Sequence, residues 1–549
     1  MNSLKKQIRL TKIMMLLAFL LAVWVAIHLP AIWYGTENLP LHMSYIGDEQ
    51  SPVNGALHVL QDKNLLAFRN LKTVYYGPLF PIISLPAVVL DFGEKFISGR
   101  IQNSNQYKNY ILWNWGGIAW KNRVIATIFS FAVIILVFML CNTRTLNPSG
   151  SKKIPIFTCG LLATNFLFFE YASFFRHWVF VLFSLVGLIY CLVRLYESHE
   201  NKYQIYCVIF SLFGFGISYL SLIFQIIWLP LLIIWFKGKK YKELRFFAFS
   251  SVLLLVGVAL IVMWHPHAFF RIIGLTGGDI INTDTSNFSS EKSSAGLSFA
   301  YYFKILFNNE LPLLITIGGL TLYLSLKKRI YKEYWFQILL LPAVAVYLIF
   351  GAMGHHESRY ILPVMVLLII YLGALLVSYF QDKNIKNRLI TVSIIIFISF
   401  SFLYNTFIDI MSSRILLQGH KEEKLIREIK QIQTKEPSSK TLLVKYYLLG
   451  APHTKDAYWD YMNKTNKTKV NLYNELLKTP LPEGIASLSV EYSIPIYFKL
   501  NKEIIKKYNH IIYYYEIAPE QKPEPDYFDV NALNLLYHKS LSDSYFFIK

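Results

Sequence analysis

The stretch "YILPVMVLLIIYLGALLVSYF", residues 360–380, runs for twenty-one positions without a formally charged side chain. A helix rises 1.5 Å per residue and needs roughly 20 apolar residues to cross about 30 Å of hydrocarbon, so this run is a membrane span. "IMMLLAFLLAVWVAIHLPAIW" (13–33) and "FAFSSVLLLVGVALIVMW" (247–264) read the same way. The composition agrees: 54% hydrophobic, 16% aromatic and only 16% charged residues in a chain of 549 exclude an ordinary soluble enzyme.

Apolar runs place about eleven spans, near residues 11–34, 123–141, 154–171, 178–196, 203–219, 222–236, 244–264, 311–326, 334–352, 360–380 and 389–408. The longest run is cut at Gly216 to Ser221, because uncut it exceeds one crossing. The first run has the basic start of a secretory signal but no small-residue cleavage pattern, so it reads as a retained span. The four cysteines, Cys141, Cys159, Cys191 and Cys207, all fall in apolar runs, which leaves the polar segments without disulfides of their own.

The formal net charge of +20 would suit a nucleic-acid binder if the cations lined one soluble face. They instead cluster in the short connections "KKQIRLTK", "RTLNPSGSKK", "KGKKYKELR", "KKRIYKE" and "QDKNIKNR", which the positive-inside bias puts in the cytoplasm together with the amino terminus. Nucleic acid is therefore not an expected partner. The outer face receives a first loop of about residues 35–122, the turn "EYASFFRHW", a Gly- and Ser-rich loop of about 265–310, the turn "GHHESRY" and everything after residue 408.

Charged side chains beside spans sit at the water boundary or in a cavity, because a charge at the bilayer centre costs about 2.5 to 3.5 kcal/mol on insertion scales. Asp48, Glu49, Arg176, Glu357 and Arg359 all fall on the outer side. In "YIGDEQSPVNGALHVLQ" the two carboxylates precede Val53, Ala56, Leu57 and Leu60 at helical spacing, which predicts a surface helix whose start they would cap. "TVYYGPLFPIISLPAVVL" (73–90) has an apolar stretch of about fourteen residues broken by prolines, too short for a span and expected as an interfacial or re-entrant element. Arg359 in "GHHESRYILP" offers a planar fork of donors suited to phosphate, the alternative being an arginine that snorkels to lipid headgroups. Arg176 and His177 in "SFFRHWVF" occupy a similar outer turn. No cofactor is expected; His265 and His267 with His355 and His356 would be the ligands if a divalent metal were used.

"GDEQ" soon after the first span, "YYGPLFP" after it and "HHESRYILP" before a late span together resemble the GT-C superfamily of polytopic glycosyltransferases, in particular the bacterial branch similar to protein O-mannosyltransferases and aminoarabinose transferases. The resemblance covers roughly residues 10 to 410. It implies a transmembrane catalytic domain over 1–408 in a bacterial inner membrane, and a polyprenyl-phosphate-linked sugar as donor. It implies Asp48 as base, with Glu49 as a second catalytic candidate. Substrate binding would fall to Arg359, His355, His356, Glu357, Tyr360, Arg176, His177 and Tyr76. Where the family often carries a lysine just before the proline pair, this chain has Tyr76 and Gly77, so Lys72 or Arg69 would take the donor phosphate instead.

Transfer to a hydroxyl of a lipid, glycan or protein acceptor needs a base near that hydroxyl and cations near the departing phosphate, which the carboxylates and arginines can supply. Two other readings are a transporter or flippase of a lipid-linked substrate and a surface-polysaccharide polymerase or ligase. Transporters, however, hold their polar groups near mid-membrane and show internal repeats, which are not evident here.

After residue 408 the spans stop. "EEKLIREIKQI" has one apolar helical face, and "TLLVKYYLL", "IASLSVEYSI", "HIIYYYEIA" and "SYFFIK" are β-prone, which predicts a small extracytoplasmic α/β domain over 409–549.

Overall fold

The computed structural model describes residues 22, 24–34, 49–62, 64, 76–113, 116–227, 241–266, 269, 297–352, 358–381, 387–417, 441–448, 485–492, 510–516, 538–539 and 545–548. In chain order the helices are α1 (Trp24–Trp33), α2 (Gln50–Asp62), α3 (Leu79–Ile97), α4 (Ser104–Trp113), α5 (Gly116–Cys141), α6 (Lys153–Ala163), α7 (Phe166–Ala172), α8 (His177–Ser198), α9 (Asn201–Ile217), α10 (Tyr241–Trp264), α11 (Leu297–Lys328), α12 (Tyr334–Ala352), α13 (Leu362–Gln381) and α14 (Arg388–Leu417).

Among the described residues, six helices are long and apolar enough to span: α5, α8, α11, α12, α13 and α14. About eleven spans were expected, and local chemistry explains much of the difference. The 154–171 run is one bent pair, α6 and α7, turned by 63° where Asn165 Oδ1 accepts the Phe168 N–H and starts a new helix. The 203–219 run makes α9, only 17 residues long. It ends where Ser218 is extended (φ −147°, ψ 124°), inside the Gly216–Ser221 cut, and the chain continues as a 3-10 helix over Tyr219–Ile227. Most of the first run and the end of the 222–236 run lie outside the described residues.

α8 and α13 form the centre of the bundle, buried on nearly all sides, whereas α5 and α14 turn rows of Ile, Leu and Phe outward as lipid-facing helices do. α3 is a continuous helix through Pro86, longer than the fourteen residues expected, and it is not among the helices long and apolar enough to span. Its polar second half explains that: buried Asp91 accepts from Lys121 Nζ at 2.6 Å and from the Tyr107 hydroxyl at 3.0 Å, which pins α3 to α4 and α5. α2 packs mainly on α3 and buries Val53, Ala56 and Leu57, the face its spacing predicts.

Successive spans alternate in direction, so the basic connections around Arg144, Lys152 and Lys153, Lys327 to Lys332, and Arg388 share one end of the bundle. At that end Lys328 Nζ donates to the Ser378 carbonyl at 3.1 Å, tying α11 to α13. The other end gathers the close of α1, the starts of α2, α3 and α5, the α7–α8 turn, the close of α9 and the 358–361 turn.

Beyond the spans, β1 (Thr441–Leu448), β2 (Ile485–Tyr492), β3 (His510–Glu516), β4 (His538–Lys539) and β5 (Tyr545–Ile548) form a sheet in the order β2-β1-β3-β5-β4. β1 pairs parallel with β2 and β3, while β5 runs antiparallel to β3 and β4. Four of these strands fall on the β-prone runs. The helix expected over "EEKLIREIKQI" lies outside the described residues.

Candidate functional site

Glu49 immediately precedes α2, where an acidic residue would ordinarily serve the helix's own exposed N–H groups. Its carboxylate goes elsewhere. Arg123 donates to it through both arms of its fork, Nε to Oε1 at 2.9 Å and Nη2 to Oε2 at 2.8 Å, and the Phe175 N–H donates to Oε1 at 2.9 Å. Both side chains are 1% exposed. The remaining Arg123 nitrogen, Nη1, donates to the carbonyls of Ala31 (3.1 Å), Ile32 (3.4 Å) and Tyr34, at and just beyond the close of α1, where a helix runs out of its own donors. The guanidinium also lies 5.2 Å from the Phe174 ring. A buried charge is tolerated only when it is paired and hydrogen-bonded, and here one arginine joins α1, Glu49, α5 and the α7–α8 turn.

Glu49 was expected to cap the start of α2; its oxygens instead accept from three donors in a buried contact. Its neighbour Asp48 lies outside the described residues, as do Arg69, Lys72, His355, His356, Glu357 and His267.

The "YYGP" segment comes to the same end of the bundle by a backbone latch. The Gly77 N–H donates to the Ile217 carbonyl at 3.0 Å, and a Cβ on Gly77 would stand 2.2 Å from the Gly216 carbonyl oxygen, so only glycine permits the approach. The latch sets the ring of Tyr76 4.3 Å from that of His177, and Tyr76 also meets Phe80 edge-on at 5.5 Å.

Arg176 stands at the cap position of α8 in extended conformation (φ −111°, ψ 151°), and its guanidinium is 5.3 Å from the Tyr171 ring. The Tyr171 hydroxyl shares a hydrogen bond with that of Ser358, which opens the short 3-10 turn Ser358–Ile361 that holds Arg359. A second tie runs beside it: the Tyr360 ring meets Trp178 edge-on at 5.5 Å and stacks on Phe350 at 5.1 Å. The two arginine-bearing turns are thus bound to each other, and Phe175, one residue from Arg176, is bound to Glu49. Glu49, Tyr76, Arg176, His177, Arg359 and Tyr360 are brought together at one end of the bundle from four distant stretches of sequence.

Three participants escaped the sequence reading. Arg123 stands at the first position of the run expected over 123–141, where a cation reads as a boundary residue, whereas the helix in fact begins at Gly116 and buries it. Glu170, within electrostatic range of Arg176, sits in the turn already singled out. Ser358 gave no signal, since a serine beside an arginine is commonplace. His265 is buried, with its carbonyl accepting from the Tyr219 hydroxyl at 3.1 Å. Among the described residues no group of three or more His, Cys, Asp or Glu side chains converges as a metal site.

Chemically, this end offers cationic forks for an anion and aromatic faces for an apolar ring or chain. No protein-family model matches the sequence, and no curated protein sequence matches it. Among solved structures the chain is similar to ArnT from Cupriavidus metallidurans in the apo state, at 12% identity and a TM-score of 0.48, and to ArnT from the same organism bound to undecaprenyl phosphate, at 11% and 0.49; each match covers 96% of this chain and 97% of that one.

Proposed function

We propose that this protein is a membrane glycosyltransferase that moves a sugar from a polyprenyl phosphate to a hydroxyl acceptor at the membrane surface. The observation that supports it most is the single tie from Glu49 through Phe175 to the arginine-bearing turns, because it holds the residue beside Asp48 and the cations of Arg176 and Arg359 to one frame. A sugar carried on a lipid phosphate has its reacting carbon at headgroup depth, where these groups stand at the ends of spans.

In this reading Asp48 takes the proton of the acceptor hydroxyl as its oxygen attacks the anomeric carbon from the face opposite the phosphate. The carbon inverts, and the bond to the phosphate oxygen breaks with its electron pair. Arg359 and Arg176 meet the charge that develops on that phosphate, which is where fixed cations speed such a reaction. Tyr76 and His177 form an aromatic wall beside them. The end of the bundle with the basic connections faces the cytoplasm, so the site and the C-terminal domain face outward from a bacterial inner membrane.

Purified protein incubated with a panel of radiolabelled polyprenyl-phosphate sugars and membrane acceptors tests the reading. Asp48→Asn, correctly inserted, is expected to lose transfer by at least about a hundredfold, the scale of general-base catalysis. Full activity of that variant would remove Asp48 from its role, and lipid movement without bond cleavage would favour a flippase.

A further inference from the structure

Away from the candidate site, three broken or polar-striped elements of the bundle meet around two carboxylates. α11 kinks at Glu310, whose backbone leaves helical geometry (φ −132°, ψ 21°) two residues before Pro312. Its buried carboxylate accepts from Asn165 Nδ2, from Asn405 Nδ2 at 3.1 and 3.2 Å, and from Ser401 Oγ at 3.2 Å. Asn165 cannot turn its amide over, because its Oδ1 is committed to capping α7. Every donor on Glu310 is neutral, so no cationic group is bonded to its carboxylate.

Asp409 continues the same stripe of α14, one turn beyond Asn405 and two beyond Ser401. It is fully buried, and neither of its oxygens has a hydrogen-bond partner among the described residues. Helical side chains lean toward the helix's amino terminus, so Asp409 leans toward Asn405, the residue that contacts both Glu310 oxygens, and it lies within electrostatic range of Glu310. Thr406, three residues earlier on that face, adds a buried hydroxyl also without a partner. Two carboxylates and a hydroxyl with no basic side chain bonded to them, when ionised in an apolar bundle, call for a compensating positive charge.

We propose that Glu310, Asp409 and Thr406 bind a hard, oxygen-seeking cation between α11 and α14, beside the bend that joins α6 to α7. All its ligand atoms are oxygens, which selects sodium- or calcium-like ions over zinc or copper. The ion neutralises the pair and fixes the kink of α11 against α7, whose far end bears Tyr171 and so reaches the Arg176 and Ser358 contacts. The site does not depend on the transferase reading.

The test uses the full-length protein in detergent and needs no activity. Thermal unfolding is followed in sodium chloride and in calcium chloride, each against choline chloride at equal ionic strength, and binding of radioactive sodium and calcium is counted by equilibrium dialysis. One of the two ions is expected to raise the midpoint saturably by several degrees and to bind at one per chain. Asp409→Asn should abolish both effects, and Thr406→Val should weaken binding several-fold while leaving the charges intact. No shift beyond choline with either ion, or an equal shift in Asp409→Asn, overturns the proposal. If Asp409→Asn fails to fold, unchanged binding by Thr406→Val overturns it alone.

Discussion

Replacing Arg123 with alanine should be among the most damaging single changes in the first 130 residues, and the structure gives the scale. The substitution leaves Glu49 in a contact that is 1% exposed with only the Phe175 N–H as donor, and it takes the Arg123 hydrogen bonds from the carbonyls of Ala31, Ile32 and Tyr34. Removing one partner of a buried ion pair costs about 3 to 5 kcal/mol, because the remaining charge has neither water nor counter-charge. Arg123→Lys keeps the charge but has no fork, so one ammonium cannot serve both Glu49 oxygens and the α1 carbonyls; it should recover less than half of the loss. Unfolding free energies of the purified variants in mixed micelles, from denaturant titration, measure both. A loss below about 1 kcal/mol for Arg123→Ala would refute the claim that this arginine joins α1, Glu49, α5 and the α7–α8 turn.

The two latch glycines should differ although they touch. Gly77→Ala drives a Cβ to 2.2 Å from a backbone oxygen and should destabilise by about 1 to 3 kcal/mol, whereas Gly216→Ala meets the movable Leu79 side chain at 2.5 Å and should cost less, as thermal midpoints will show. Tyr171→Phe removes the hydroxyl that binds Ser358 and, on the proposed transferase reading, should lower kcat several-fold more than it raises KM, by loosening the turn that holds Arg359. On α3, hydrogen bonds from Lys121 and then Lys95 pull the half-exposed Glu94 down to about 2 from its ordinary value near 4.5. Because the folded value is the lower one, its contribution is complete above about pH 5 and is lost as pH falls from there toward 2; Lys121→Gln should flatten that part of the stability profile measured by thermal unfolding.

The fold was legible wherever apolar length alone decides, as in α5, α8, α12, α13 and α14. It was illegible where a polar side chain intervenes within a run. Asn165 starts a new helix in the middle of an apolar stretch without breaking the hydropathy enough to be seen, because a single amide among apolar residues barely changes the average. At Glu310 the opposite happened: its charge read as the end of the 265–310 loop and the start of a span at 311, whereas α11 is already helical from Leu297 and only kinks there. At the site, the segments that meet were visible as charges on one side of the membrane, but the partner of each was not. Nothing in "GDEQ" says which carboxylate faces inward to an arginine 74 residues away, since adjacent residues point in different directions and burial selects between them. Four of the five β-strands, by contrast, fall on runs legible as β-prone, while the two-residue β4 at His538–Lys539 gave no such signal.

The arginine that closes α1 and anchors Glu49 also imposes an order on biosynthesis. Residues 31 to 49 emerge from the ribosome well before position 123, so for that interval the growing chain exposes helix-end carbonyls and an acid whose guanidinium has not yet been made. The segment around Glu49 can settle only when α5 enters the bilayer and delivers Arg123 to its waiting acceptors, which makes the insertion of α5 the step that commits the amino-terminal part to its final shape.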